Sequence, residues 1–185
     1  VYDLIDRQLA VWQQASDNFS ALANVGVKEI VLGGFPVKVQ FNPARIVSTA
    51  AKVDNAALAE RKCFLCAVNR PAEQVSLPAL GTIDVLVNPF PILPFHLTLP
   101  VREHTPQIFS GMYADMLNIA REWQDLAIFY NGAKCGASAP DHAHLQAGNM
   151  SGIPLLGSGW NEELACGMEP LHVKEDGCIY SVDSY

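Results

Sequence analysis

The segment Asp141-His142-Ala143-His144-Leu145-Gln146 constrains this chain more than any other, because its polar residues recur with a period of two. Successive side chains of a β-strand point to opposite faces. A strand here therefore puts His142, His144 and Gln146 on one face and Ala143, Leu145 and Ala147 on the other. The second face can pack into a core, but a face made of two imidazoles and an amide cannot. Three polar groups in phase behind the small-residue turn "CGAS" mark a site, where a single histidine would be an ordinary satisfied or solvated residue.

The rest of the chain supplies the frame. Half of its 185 residues are apolar and 17% are charged, enough to bury one core. One domain over 1–185 is expected: an N-terminal helix and strands over 1–60, a core over 61–150 that carries the motifs, and an extension over 151–185. Twelve prolines and thirteen glycines spread along the length break the chain into short strands and turns with few helices, which is an α+β pattern.

Ile5, Leu9 and Trp12 at three- and four-residue spacing predict a helix over Tyr2 to Gln14. "KEIVLGG", "FPVKVQF" and "RIVSTA" are short, β-branched and bounded by Gly or Pro, as a hairpin or meander would be. Residues 54–62 are helix-compatible. "TIDVLVNPFPILPFHLTLP" reads as strands over Ile83 to Asn88 and Phe95 to Leu99 joined by a proline-rich turn. Thr105-Pro106 has the form of an N-cap followed by proline at the first helical position. It predicts a helix to about Asp125, with Ile108, Met112, Met116, Ala120 and Trp123 on one face, and "LAIFYN" follows as a strand.

Charge and cysteine usage exclude several classes. A net charge of −7 with no Lys/Arg cluster argues against a nucleic-acid partner, whereas a small anionic ligand needs only a few local donors. The apolar run from Ile83 to Val101 contains Asp84, Asn88, His96 and four prolines, so no membrane span is expected. Five cysteines with one close pair suggest a reducing compartment, hence a cytoplasmic protein. That pair, in "CFLC", is compatible with a metal knuckle, a redox couple or chance; no strand-to-helix redox signature surrounds it.

"FYNGAKCGASAPDHAHLQ" resembles the active-site segment of the histidine-triad superfamily. The likeness is to its nucleotidyltransferase and phosphorylase branch, which carries His-x-His-x-Gln where the hydrolases carry a third histidine. That branch includes galactose-1-phosphate uridylyltransferases, diadenosine tetraphosphate phosphorylases and GDP-hexose phosphorylases. The wording of "CFLCAVNRPAEQ" and "LVNPFPILPFH" is most similar to a bacterial transferase-like subgroup. One departure is Ala143, where the uridylyltransferases have proline.

The resemblance implies a HIT-like antiparallel sheet, a half-barrel with a long helix packed on it. It also implies that His144 attacks the α-phosphorus of a nucleoside-diphosphate sugar or dinucleotide polyphosphate. The nucleotidyl-histidine so formed would be resolved by phosphate or a sugar phosphate. Gln146 would donate its amide to a non-bridging oxygen. Since an amide cannot deliver a proton, transfer or phosphorolysis is favoured over hydrolysis, which stays the runner-up. A zinc-stabilised module that binds nucleotide without turnover is the rival from another class.

Further residues follow from the same resemblance. Asn131, Gly136 and Ser138 would meet phosphates, Asn88 the nucleotide, and His96 the neighbourhood of the phosphates. Arg45, in "VQFNPARIVST", would meet a phosphate on a weaker match. Their plain alternatives are a turn-capping Asn88, a partly buried strand histidine at 96 and a surface arginine at 45. In the uridylyltransferases the Cys-x-x-Cys pair, a histidine after the following strand and the first histidine of His-x-His hold one zinc. The matching positions are Cys63, Cys66, His104 and His142, a closed set and therefore a structural zinc. The uridylyltransferases contain two related half-barrels, so this chain matches one unit, expected either to pair as a homodimer or to belong to a longer chain.

Overall fold

The computed structural model describes residues 1–32, 35–45 and 54–153, and two short strands at 172–174 and 177–179. Its centre is a sheet of β3 (Leu77–Ala79), β4 (Ile83–Val87), β5 (His96–Pro100), β6 (Leu126–Phe129) and β7 (His144–Asn149). The strands are antiparallel in the order β3-β4-β5-β7-β6. All five residues of β4 and of β5 are buried, so both faces of the sheet are covered.

On one face Ile83, Val85, Leu97, Leu99 and Leu145 pack against Leu4 and Ile5 of α1 (Tyr2–Val11) and Ile119 of α4 (Tyr113–Glu122). Each leucine or isoleucine buried there stabilises the fold by about 1.5–3 kcal/mol relative to exposure. The opposite face carries the polar residues of β7. Leu86 packs there against Cys63, Leu65 and Ala139 under the Cys-x-x-Cys loop. The alternation read from "HAHLQA" thus sorts one strand between a core and a site.

The helix expected over Tyr2 to Gln14 divides in two. Trp12 is extended (φ −118°, ψ 93°) between α1 and α2 (Gln13–Leu22), and its side chain is buried. Gln8, also buried, pins α1 to the 73–75 loop by donating to the Glu73 carbonyl and accepting from the Val75 N–H. The second helix buries Ala15 and Leu22.

The helix expected from Thr105 begins later. Residues 105–108 form no helix, a 3-10 turn occupies Phe109–Gly111, and α4 spans ten residues, so the packing helix is not long. Hydrogen bonds to the 140–144 segment override the local Thr-Pro signal. Ala143 N–H donates to the Thr105 carbonyl at 2.7 Å, and Gln107 N–H to that of Pro140 at 3.2 Å. Ile108, assigned to the apolar face, is exposed, while Met112 and Ile119 are buried.

Other elements fall where expected. β1 (Gly26–Leu32) and β2 (Phe35–Phe41) form a fully registered hairpin. "RIVSTA" lies outside the described residues beyond Arg45. Asp54 caps α3 (Asn55–Glu60), accepting from Ala57 N–H at 3.0 Å. Of the 151–185 extension, the described part includes a hairpin of β8 (His172–Lys174) and β9 (Gly177–Ile179). No described helix is long and apolar enough to cross a membrane.

Candidate active site

β7 begins at His144, so His142 sits in the turn ahead of it, its N–H donating to the Ala139 carbonyl at 3.2 Å. His142, His144 and Gln146 are 0, 5 and 9% exposed, so the polar face is enclosed and not open to solvent. The Cys-x-x-Cys loop and the 131–139 loop fold over it and leave a cavity of about 410 Å³. His144, Gln146 and Thr98 line this cavity from the sheet; Asn131, Gly136 and Ser138 line it from the loop. Asn88 and Arg45 line it as well, and Asn88 also caps its own turn by accepting from Phe90 N–H at 2.9 Å. Gly136 has φ +87°, a conformation that favours glycine.

The geometry fixes the protonation of His144. Its Nδ1 lies 2.8 Å from the carbonyl oxygen of His142, a group that only accepts, so Nδ1 carries the proton. Nε2 is then the lone-pair nitrogen, with no hydrogen-bond partner among the described residues. Burial pushes the ring's pKa below its ordinary value, outweighing the hydrogen bond to the His142 carbonyl, which raises it. At neutral pH the uncharged ring lines the cavity.

Its backbone is held by a residue the sequence reading assigned to a helix. Gln107 is buried; its Oε1 accepts from His144 N–H at 2.7 Å, and its Nε2 donates to the carbonyls of His144 and Asn131, both at 2.9 Å. Tyr130 Oη in turn donates to the Gln107 carbonyl at 2.9 Å. Gln146 is held through its Oε1, 2.9 Å from Nε2 of His96. His96 does not line the cavity; it is buried beneath Gln146.

The second constellation also assembles. Cys63, Cys66, His104 and His142 place their ligand atoms within 4.8 Å of one another. Cys63 Sγ lies 3.2 Å from His142 Nδ1, and Cys66 Sγ lies 3.3 Å from His104 Nδ1 and 3.6 Å from His142 Nδ1. Tetrahedral zinc with Zn–S about 2.3 Å and Zn–N about 2.0–2.1 Å separates sulfur from nitrogen by about 3.6 Å, so the set fits. His142 Nε2 donates to the Val101 carbonyl at 2.7 Å, which leaves Nδ1 free as a ligand atom.

The loop bearing the cysteines is braced from beneath. Arg70 donates to the Leu65 carbonyl through Nε at 2.9 Å and Nη2 at 2.7 Å, and through Nη1 to Asp84 of β4 at 2.7 Å. Burial alone would raise the Asp84 pKa, but Arg102 at 2.9 Å and Arg70 outweigh it and hold the carboxyl below its usual range. Asn69 adds a bond to the Cys63 carbonyl at 2.9 Å.

Arg61 was not singled out from the sequence either. It pairs with Asp141 at 2.8 Å, lies 5.0 Å over the Phe64 ring and lines the cavity together with Trp12, Phe64 and Phe90. Its one sequence signal is its place two residues before "CFLC".

A family model described as "Domain of unknown function (DUF4922)" matches residues 4–149. No curated protein matches the chain. Among solved structures, that of yeast Ap4A phosphorylase Apa2 in complex with AMP is similar with a TM-score of 0.51 and 20% identity. The match covers 92% of this chain and 57% of that one. The same yeast protein in complex with Ap4A gives a TM-score of 0.47 and 19% identity, over 92% and 61%. The chain thus spans less than two thirds of the length of these neighbours. The likeness to the AMP complex establishes the fold: an α+β, HIT-like antiparallel sheet.

Proposed function

The chain belongs to the family of that model, Domain of unknown function (DUF4922), and from its site we propose nucleotidyl transfer or phosphorolysis through a covalent intermediate on His144. The donor is a nucleoside-diphosphate sugar or a dinucleotide polyphosphate, and the acceptor is phosphate or a sugar phosphate. The observation that carries this reading is the proton inventory of the cavity. Among the described lining residues the titratable side chains are Arg45, Arg61 and His144. Arginine does not give up its proton near neutral pH. Apart from the nucleophile, none of these described side chains can protonate a leaving group or deprotonate an acceptor, which suits a leaving group and an acceptor that are already oxyanions.

Phosphoanhydrides and phosphates meet that condition, whereas water and alcohols do not. The lone pair on His144 Nε2 attacks the α-phosphorus; the N–P bond forms as the P–O bond breaks, and the electron pair leaves on a phosphate oxygen. Nδ1–H stays on the His142 carbonyl, which offsets charge gained by the ring. An acceptor oxyanion then attacks phosphorus, breaks the N–P bond and restores neutral His144. Gln146 donates to a non-bridging oxygen, and Arg45 and Arg61 offset the phosphate charge in an otherwise acidic protein. Cys63, Cys66, His104 and His142 would hold zinc as a closed set that ties the Cys-x-x-Cys loop to the start of β7 and supplies no reacting group. The solved neighbour is, by name, an Ap4A phosphorylase in complex with AMP, which is the same reaction class.

The test is a panel of nucleoside-diphosphate sugars and dinucleotide polyphosphates, with and without inorganic phosphate. Nucleotide release should depend on phosphate and vanish in His144→Ala. Release at the same rate without phosphate would mark a hydrolase, and nucleotide binding without release would mark a silent module.

A further inference from the structure

Gln146 can turn either end of its amide toward the cavity, and the proposed reaction needs the nitrogen end. The two ends are nearly equal in size, so space alone does not choose between them. A carbonyl oxygen facing the phosphate would repel the charge that the N–H₂ group stabilises.

The choice is made beneath the cavity floor. His96 pairs with Gly148 and Thr98 pairs with Gln146, so His96 and Gln146 are diagonal neighbours on one face of β5 and β7. His96 is 1% exposed, and its ring stacks on Phe129 with centroids 6.0 Å apart. Its Nδ1 lies 3.1 Å from the backbone nitrogen of Ile92. That nitrogen can only donate, so Nδ1 must be the acceptor. In a neutral imidazole the proton is then on Nε2. Nε2 lies 2.9 Å from Oε1 of Gln146, and a donor there requires the carbonyl oxygen as partner.

Two further features keep this arrangement in one state. Burial pushes the pKa of His96 down to about 4, so a second proton is absent near neutral pH. A Cβ at Gly148, opposite His96, would come within 2.2 Å of Leu93 Cδ1 and 3.1 Å of the Phe95 carbonyl oxygen. The glycine therefore lets the 91–95 loop, which carries the Ile92 donor, pack down onto β7.

We infer that His96 is a positioning residue for Gln146: a one-way chain from Ile92 N–H through His96 to Oε1 turns the Gln146 amide protons toward the substrate phosphate. This rests on the reaction proposed above, and the test separates the two. In ¹⁵N spectra of histidine-labelled protein, His96 should appear as the neutral Nε2–H tautomer down to about pH 5, assigned by the loss of its signals in His96→Gln. An Nδ1–H tautomer or a charged ring overturns the inference whether or not the protein turns over nucleotide.

The kinetic arm is a double-mutant cycle. His96→Leu should lower kcat on the order of tenfold, less than the roughly hundredfold or more that follows loss of an oxyanion donor outright, with KM little changed. In a Gln146→Ala background it should cost nothing further, because its effect passes through Gln146. His96→Gln, whose amide can donate to Oε1, should recover most of the activity. Equal losses in both backgrounds would mean that His96 serves packing alone. A wild-type protein inactive on every donor sinks the reaction and leaves the tautomer to decide the orientation.

Discussion

His144 stands where the pairing of β7 runs out. Its partner on one side is Pro100, which has no N–H to give, and on the other side β6 has ended at Phe129, opposite Gln146. The Gln107 side chain supplies what a further strand would have supplied, an acceptor for the N–H and a donor for the carbonyl. Gln107→Met keeps the length and removes both functions, leaving buried backbone groups unpaired at about 1–3 kcal/mol. Urea denaturation should show a loss of that size, and turnover should fall with it; an unchanged midpoint would contradict the clamp. Nothing in the local sequence announces Gln107. It follows Thr-Pro in a helix-start pattern, and only its contact with residues 131 and 144 reveals its role.

At the scale of elements, short-range pattern and long-range demand part company. The strands were legible because a period of two needs only a few residues: β1, β2, β4, β5 and β6 lie within a residue or two of the apolar runs that announced them. The start of α4 and the break at Trp12 were not, because distant backbone partners in the 140–144 segment and a cavity wall decide them. The Cys-x-x-Cys loop combines both cases. Its spacing pointed to metal, but the Arg70 brace to Leu65 and Asp84 shows only in three dimensions. With zinc on Cys63, Cys66, His104 and His142, elemental analysis should find about one ion per chain. Chelation should lower the melting temperature and make both thiols reactive, since metal binding and folding of such a loop are coupled. His104→Ala should speed metal loss while leaving the cavity lining intact, as His104 is outside it. A metal-free chain with an unchanged melting temperature and unreactive thiols would rule the zinc out.

For the molecule as a whole, one sheet serves two purposes. Its Leu97, Leu99 and Leu145 face closes the core with α1 and α4, and its His144 and Gln146 face forms the floor of the cavity. The resemblance around "DHAHLQ" named the floor, because these side chains are neighbours in sequence. The walls come from segments far apart: the resemblance named Asn131, Gly136 and Ser138, whereas Trp12, Arg61 and Phe90 are brought together with them only by the fold. All of this turns on whether His144 bonds to phosphorus. A donor labelled at the α-phosphate, mixed with the protein without acceptor and quenched in alkali, which preserves N–P bonds, decides it. The account predicts label on His144, absent from His144→Ala and discharged by inorganic phosphate as nucleoside diphosphate. Turnover without label on the wild type, or label that persists in His144→Ala, would contradict it.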